Sequence, residues 1–152
     1  MRPLVIGVGN RWRGDDGIGP KTIDAIEAIG VDAELLTLDG EPGRLVAAWE
    51  DRSRVVVVDA IVTGAAPGTV HCVTSGFGGR GAGASSHGNG IAEAVALGRA
   101  LGRFPEQLVV IGVEPGRLDH GDELSSAVAA ALDTVIRLVC ELVGEEAGAP
   151  CA

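Results

Sequence analysis

The sequence predicts a three-layer α/β sandwich: a mostly parallel, twisted sheet of about five strands, one of them a short antiparallel edge strand, with helices on both faces. Three observations predict it. Leu4–Val8, Val55–Val58 and Leu108–Val113 are short runs without polar alternation, as expected of strands covered on both sides. Segments with apolar residues three and four apart follow them, the pattern of helices with one buried stripe. Strands that alternate with helices build parallel crossover units.

The elements follow in order. After the first strand, Asn10 to Gly14 form a loop, Asp15 and Asp16 come next, and Gly17 opens a helix with Pro20 in its first turn. That helix runs to Ile29, with Ile23, Ile26 and Ile29 on the apolar stripe and Lys21, Asp24 and Glu27 outside it, and Gly30 stops it. Ala33 to Leu38 is the second strand, ending at Asp39-Gly40, and Pro42 starts a short helix that runs to Glu50. Val55–Val58 is the third strand, ending at Asp59. Thr69 to Val73 follows the turn Ala66-Pro67-Gly68 too closely for a crossover helix, so it is antiparallel and at an edge.

Thr74 to Gly90 is a glycine-rich loop of a length that marks function or disorder. Ile91 to Leu101 is a helix with Ile91, Ala94, Val95 and Leu101 facing inward. Leu108–Val113 is the fifth strand, closed by Glu114-Pro115-Gly116, and a polar loop from Arg117 to Glu123 carries His120. The last helix spans Ser125 to Val143, with Ser125 as N-cap and Val128, Leu132, Val135, Ile136, Val139 and Leu142 as its stripe. Residues 1–146 thus form a single domain, and 147–152 a flexible tail.

Composition excludes several function classes. The formal net charge of −9 disfavours nucleic acid and anionic membranes as partners. No apolar run is long enough to span a bilayer, and no signal peptide precedes the first strand. Cys72, Cys140 and Cys151 are odd in number and lack metal-type spacing, which argues for unpaired thiols and a cytoplasmic home. Nucleotide-binding motifs fail on inspection. Gly7 and Gly9 begin a dinucleotide fingerprint, but Trp12 stands where its third glycine belongs, and no Gly-Lys-Ser/Thr exists.

The acids carry the chemistry. Asp15 and Asp16 follow the first strand, Asp39 the second, Asp59 the third and Glu114 the fifth, so parallel pairing gathers all five at one edge of the sheet. Like charges this close resist ionisation unless something positive compensates, and no lysine lies in the adjoining loops. His87, in SSHGNG before a helix, can reach the same edge, and carboxylates plus one imidazole suit a divalent transition metal with open positions for water or substrate. Each residue also has a structural reading. Asp15 can cap the first helix, Asp16 can serve its dipole, and Asp39 and Asp59 can shape turns. Glu114 can be a strand terminus, His87 a loop or cap residue, and His71 and His120 surface residues. No Ser-His-Asp order, Cys-His pair or HExxH helix is present.

At these residues the sequence resembles a known family. GVGNRWRGDDGIG, VVVVDAI with APGTV after it, SSHGNGIAEAVALGRALG and VVIGVEPG, in that order from Met1 to about Val143, look like the motifs of the hydrogenase maturation proteases. The resemblance implies an endopeptidase that removes the C-terminal extension of a nickel-loaded hydrogenase large-subunit precursor. It implies that Asp16, Asp59 and His87 bind nickel, supplied by the substrate and serving as its recognition signal, and that Asp16 and Asp39 take part in catalysis. Other divalent cations could occupy the same ligands. Trp12 is an apolar candidate for gripping the precursor. A non-enzymatic nickel-binding maturation chaperone is the alternative that the same ligands would serve. The chain departs from the family in carrying Asp16 where many members have glutamate, Glu41-Pro42 after Asp39-Gly40, and Gly88 where glutamine is common.

Overall fold

The computed structural model describes residues 1–74 and 89–144. The strands are β1 (Leu4–Val8), β2 (Glu34–Leu38), β3 (Arg54–Ala60), β4 (Val70–Val73) and β5 (Gln107–Val113). The helices are α1 (Ile18–Ile29), α2 (Pro42–Trp49), α3 (Asn89–Leu101) and α4 (Ser126–Gly144), and a 3-10 turn, Gly14–Gly17, leads into α1. The sheet order is β2-β1-β3-β5-β4, parallel except for β4, which runs antiparallel to β5 at the edge. This is the mixed sheet and the antiparallel edge that the sequence predicts.

Register explains the two cores. Val5, Val56 and Val109 are neighbours across β1, β3 and β5, and all three belong to the core that also holds Ile26 of α1 and Val135 and Val139 of α4. One residue on, Ile6, Val57 and Val110 form the next row and pack with Leu45 and Trp49 of α2 and Ala94 and Val95 of α3. Side chains alternate across a strand, so a run without polar residues is apolar on both faces, and here each face meets a helix pair. Val56 and Val110 are accordingly buried. Trp49 anchors the second core, its indole N–H donating to the Arg103 carbonyl and its ring meeting Phe104 edge-on.

Four expectations change. Asp59 lies inside β3, paired with Gly112, rather than after the strand. The ladder continues past the valines because β5 supplies a partner for each residue through Ala60. Ile29 and Leu101 are exposed rather than inward, since each closes its helix at an end that none of the described residues covers. Cys72 is disulfide-bonded, against the reading of unpaired thiols, and Cys140 is free and half-buried. Residues 147–152, read as a tail, lie outside the described residues. No helix among the described residues is long and apolar enough to cross a membrane.

The approach of α1 to the sheet positions everything at the strand ends. A Cβ on Gly7 of β1 would collide with the carbonyl of Gly19, and a Cβ on Gly19 would collide with the carbonyls of Val8 and Val58. The helix therefore sits directly on two strands, with no side chain between the backbones. Gly19→Ala should lower unfolding free energy by about 2 kcal/mol through overpacking, read from a shifted denaturant midpoint at unchanged slope.

Candidate active site

The site begins where β1 ends. Gly9 has a φ of 138°, a conformation that side chains rarely adopt, and a Cβ there would run into the backbone carbonyl of Asp16. The turn that follows is held by its own polar groups. Asn10 Oδ1 accepts from Trp12 N–H at 2.9 Å, and Asn10 N–H donates to Asp16 Oδ2 at 2.9 Å. Asp16, half-buried in the 3-10 turn, is thereby folded back over the end of β1.

Asp59 comes from the neighbouring strand and is 6% exposed. Burial pushes its carboxyl well above the usual carboxylate range, and the negative charge of Asp16 pushes it further, against a smaller opposing effect of the Ala60 N–H. The two acids sense each other directly. Neither forms an ion pair among the described residues. Two carboxylates so placed, one of them desolvated, disfavour ionisation of one another unless positive charge lies close by.

The other acids at this edge do different work. Asp15 is fully buried, and its carboxylate accepts from the N–H groups of Gly116, Arg117 and Ser125 and from Ser125 Oγ, all at 2.7–2.8 Å. It does not cap α1; it clamps the loop between β5 and α4 onto the 3-10 turn. Ser125, expected as an N-cap, spends its hydroxyl on this clamp. Backbone bonds reinforce it, with Gly14 N–H donating to Gly121 and Gly121 N–H to Trp12. Trp12 itself, in the segment between β1 and the 3-10 turn, is 58% exposed.

Asp39 is exposed at the end of β2. It accepts from Glu41 N–H and pairs with Arg44 at 2.7 Å; the Glu41 bond and then Arg44 hold its carboxyl below the usual range. Its geometry is that of a turn-forming aspartate, and the expected helix start at Pro42 uses Glu41 as its cap. Glu114 is buried, 3% exposed. Burial alone would raise its carboxyl, but hydrogen bonds from Thr63 Oγ, Thr63 N–H, Gly64 N–H and His71 outweigh burial and leave it below the ordinary value.

Thus Asp16 and Asp59 come together, while Asp39 stands apart with its own cation. His87 lies outside the described residues, and no group of three potential metal ligands occurs among the described ones. His120 is exposed as expected, whereas His71, read as surface, is half-buried with Nε2 3.4 Å from Glu114. Sequence reasoning missed both clamps, Asp15 with the β5–α4 loop and Glu114 with Thr63 and His71. The only signal for either is a carboxylate placed immediately beside an apolar strand or a helix start.

Two outcomes follow from these environments. Asp15→Ala should destabilise the chain by about 3 kcal/mol or more, because buried donors lose their acceptor, read by chemical denaturation. For Asp59 the folded pKa lies above the unfolded one, so its stabilisation is complete below the unfolded value and is lost as pH rises toward the folded value. Asp59→Asn should therefore melt at a higher temperature than the natural chain near about pH 8, and the gap should narrow toward about pH 4, followed by calorimetry across pH.

Known proteins resemble this chain in sequence and fold. Residues 38–142 match the family model for hydrogenase maturation protease, HycI. The hydrogenase expression/formation protein HupD of Bradyrhizobium diazoefficiens is 33% identical over 151 residues, covering 95% of this chain and 79% of that protein. The hydrogenase 2 maturation protease of Escherichia coli is 30% identical over 154 residues, covering 95% and 92%. Among solved structures, the hydrogenase maturating endopeptidase HybD of E. coli superposes with a TM-score of 0.75 at 30% identity, covering 91% of this chain and 90% of that one. The [NiFe] hydrogenase maturation protease HybD of Thermococcus kodakarensis gives 0.78 at 27% identity, covering 94% and 99%. With the family model spanning most of the sheet and the fold shared along its length, the chain belongs to the hydrogenase maturation protease family and is a hydrogenase maturation endopeptidase.

Proposed function

We propose that this chain removes the C-terminal extension of a hydrogenase large-subunit precursor after nickel has been loaded into it, and that the bound nickel is what it recognises. The observation that carries this reading is the carboxylate pair Asp16 and Asp59, one of them buried, neither in an ion pair among the described residues. A divalent ion supplies the missing charge and favours the ionised form of Asp59. Oxygen ligands with one imidazole match a borderline metal such as nickel.

His87 is the third ligand in this reading. It precedes α3 by two residues, and Gly90 in the first turn of α3 packs against the carbonyl of Gly40, at the end of β2 on the same sheet edge. Asp39, kept ionised by Glu41 N–H and Arg44, acts as an acceptor that holds the precursor backbone. Asp16, half-exposed beside the substrate's metal, assists the attacking water. Trp12 offers the precursor an exposed apolar surface in the adjoining loop.

Incubating the chain with nickel-loaded precursor and weighing the product by mass spectrometry tests the assignment. The expected result is a truncated large subunit from loaded precursor and none from unloaded precursor. Capture of the loaded precursor without truncation would make the chain a nickel-binding chaperone instead. Asp16→Ala and His87→Ala should each abolish processing without altering the far-ultraviolet dichroism. Normal cleavage by Asp16→Ala would remove Asp16 from the ligand set.

A further inference from the structure

Among the described residues, the sheet has an open side beside the candidate site. β2 is an outer strand, paired only with β1. The parallel ladder turns alternate residues inward: Glu34 N–H donates to the Pro3 carbonyl, and the Leu38 carbonyl accepts from Gly9 N–H. Glu34, Leu36 and Leu38 therefore spend their backbone groups on β1. Leu35 and Thr37, between them, direct N–H and C=O away from the sheet, where no described residue takes them up.

Exposed edges normally carry protection against added strands. Lysine, proline and bulges are the usual devices, and β2 has none of them. Its sequence is ELLTL, with one charge, at the end remote from the site. Leu35 packs toward one core and Leu36 and Leu38 toward the other, so both layers hold the strand in place. The edge then runs directly into the site. Leu38 is bonded to Gly9, Gly9 lies against Asp16, and Asp39 is the next residue after the strand.

We infer that the edge of β2 receives an extended peptide by strand addition, and that this peptide is the precursor segment flanking the scissile bond. An endopeptidase has to take its substrate as an opened-out chain, and an unprotected strand edge selects that conformation through main-chain hydrogen bonds. Thr37 N–H and C=O form the pair of bonds nearest the site, and Leu35 the next pair. The segment is held one strand away from β1, and its continuation crosses the sheet edge past Asp39 to Asp16 and Asp59. The recognition is by backbone, so it tolerates varied side chains in the bound segment while the metal supplies discrimination. This inference rests on the proposed processing of the precursor.

Thr37→Pro removes the outward N–H and is compatible with an edge position. Thr37→Val removes the hydroxyl but keeps the N–H. With nickel-loaded precursor, Thr37→Pro should raise KM about tenfold, the loss of roughly one backbone hydrogen bond, with kcat little changed, while Thr37→Val retains the natural KM. On the unmodified chain, a deuterium pulse given at once after mixing with excess loaded precursor should find the Leu35 and Thr37 amides slowed at least about tenfold. Natural KM in Thr37→Pro, or unprotected Leu35 and Thr37 amides while the unmodified chain processes the precursor, would overturn strand addition and leave the protease assignment intact. Failure of the unmodified chain to process loaded precursor would instead overturn the assignment and this inference with it.

Discussion

The contact between Gly19 of α1 and the carbonyls of Val8 and Val58 is the constraint on which the site depends. A helix resting on side chains stands well clear of a sheet; here the backbone of α1 touches β1 and β3. That closeness lets a short turn return Asp16 to the end of β1, with Gly9 leaving room for the Asp16 carbonyl. Asp59 lies in β3, beside β1, and so faces the acid that the turn delivers. Three glycines thus do what no charged or polar residue could do, which is to remove the space that would separate two like charges.

The repulsion between Asp16 and Asp59 is sustained by structure elsewhere. The 3-10 turn that carries Asp16 cannot relax outward, because Asp15 beside it is held by three N–H groups and a hydroxyl from the loop between β5 and α4. Glu114 secures the start of that loop's neighbour, the segment at Thr63 and Gly64 just past β3. Two buried carboxylates accept several hydrogen bonds each, while the buried Asp59 forms no ion pair among the described residues. The contrast separates two kinds of buried acid: Asp15 and Glu114 hold loops through several donors, while Asp59 has the Ala60 N–H and faces the charge of Asp16.

Division of labour extends to the two sides of the sheet. The core beneath α1 and α4 carries the acid-bearing turn, while the core beneath α2 and α3 carries Trp49 and the entry to α3 next to Gly40. At the strand ends between these layers, backbone from β1, β2 and β3 meets the starts of α1 and α3. Such edges serve as ligand sites in open α/β sheets because strand ends and helix starts leave polar groups unspent. In this chain carboxylates occupy that position, Asp16 and Asp59 among them.

Much of this was legible in the residues themselves. Apolar runs such as VVVV and LVVIGV can only be strands covered on both faces, and the short link before Thr69 forces an antiparallel neighbour, since both follow from local pattern and chain length. The acids at the strand ends were legible for the same reason, because strand direction alone sends them to one edge. What the sequence left undecided was which acid does what. Asp15 and Asp16 are adjacent and chemically identical, yet one is sealed by four donors and the other faces Asp59. His71 read as a surface residue, yet it reaches Glu114 across β4 and β5. These differences arise from groups more than forty residues apart in the chain brought within hydrogen-bond distance. Burial and partnership are properties of that packing, and only the tertiary structure decides them.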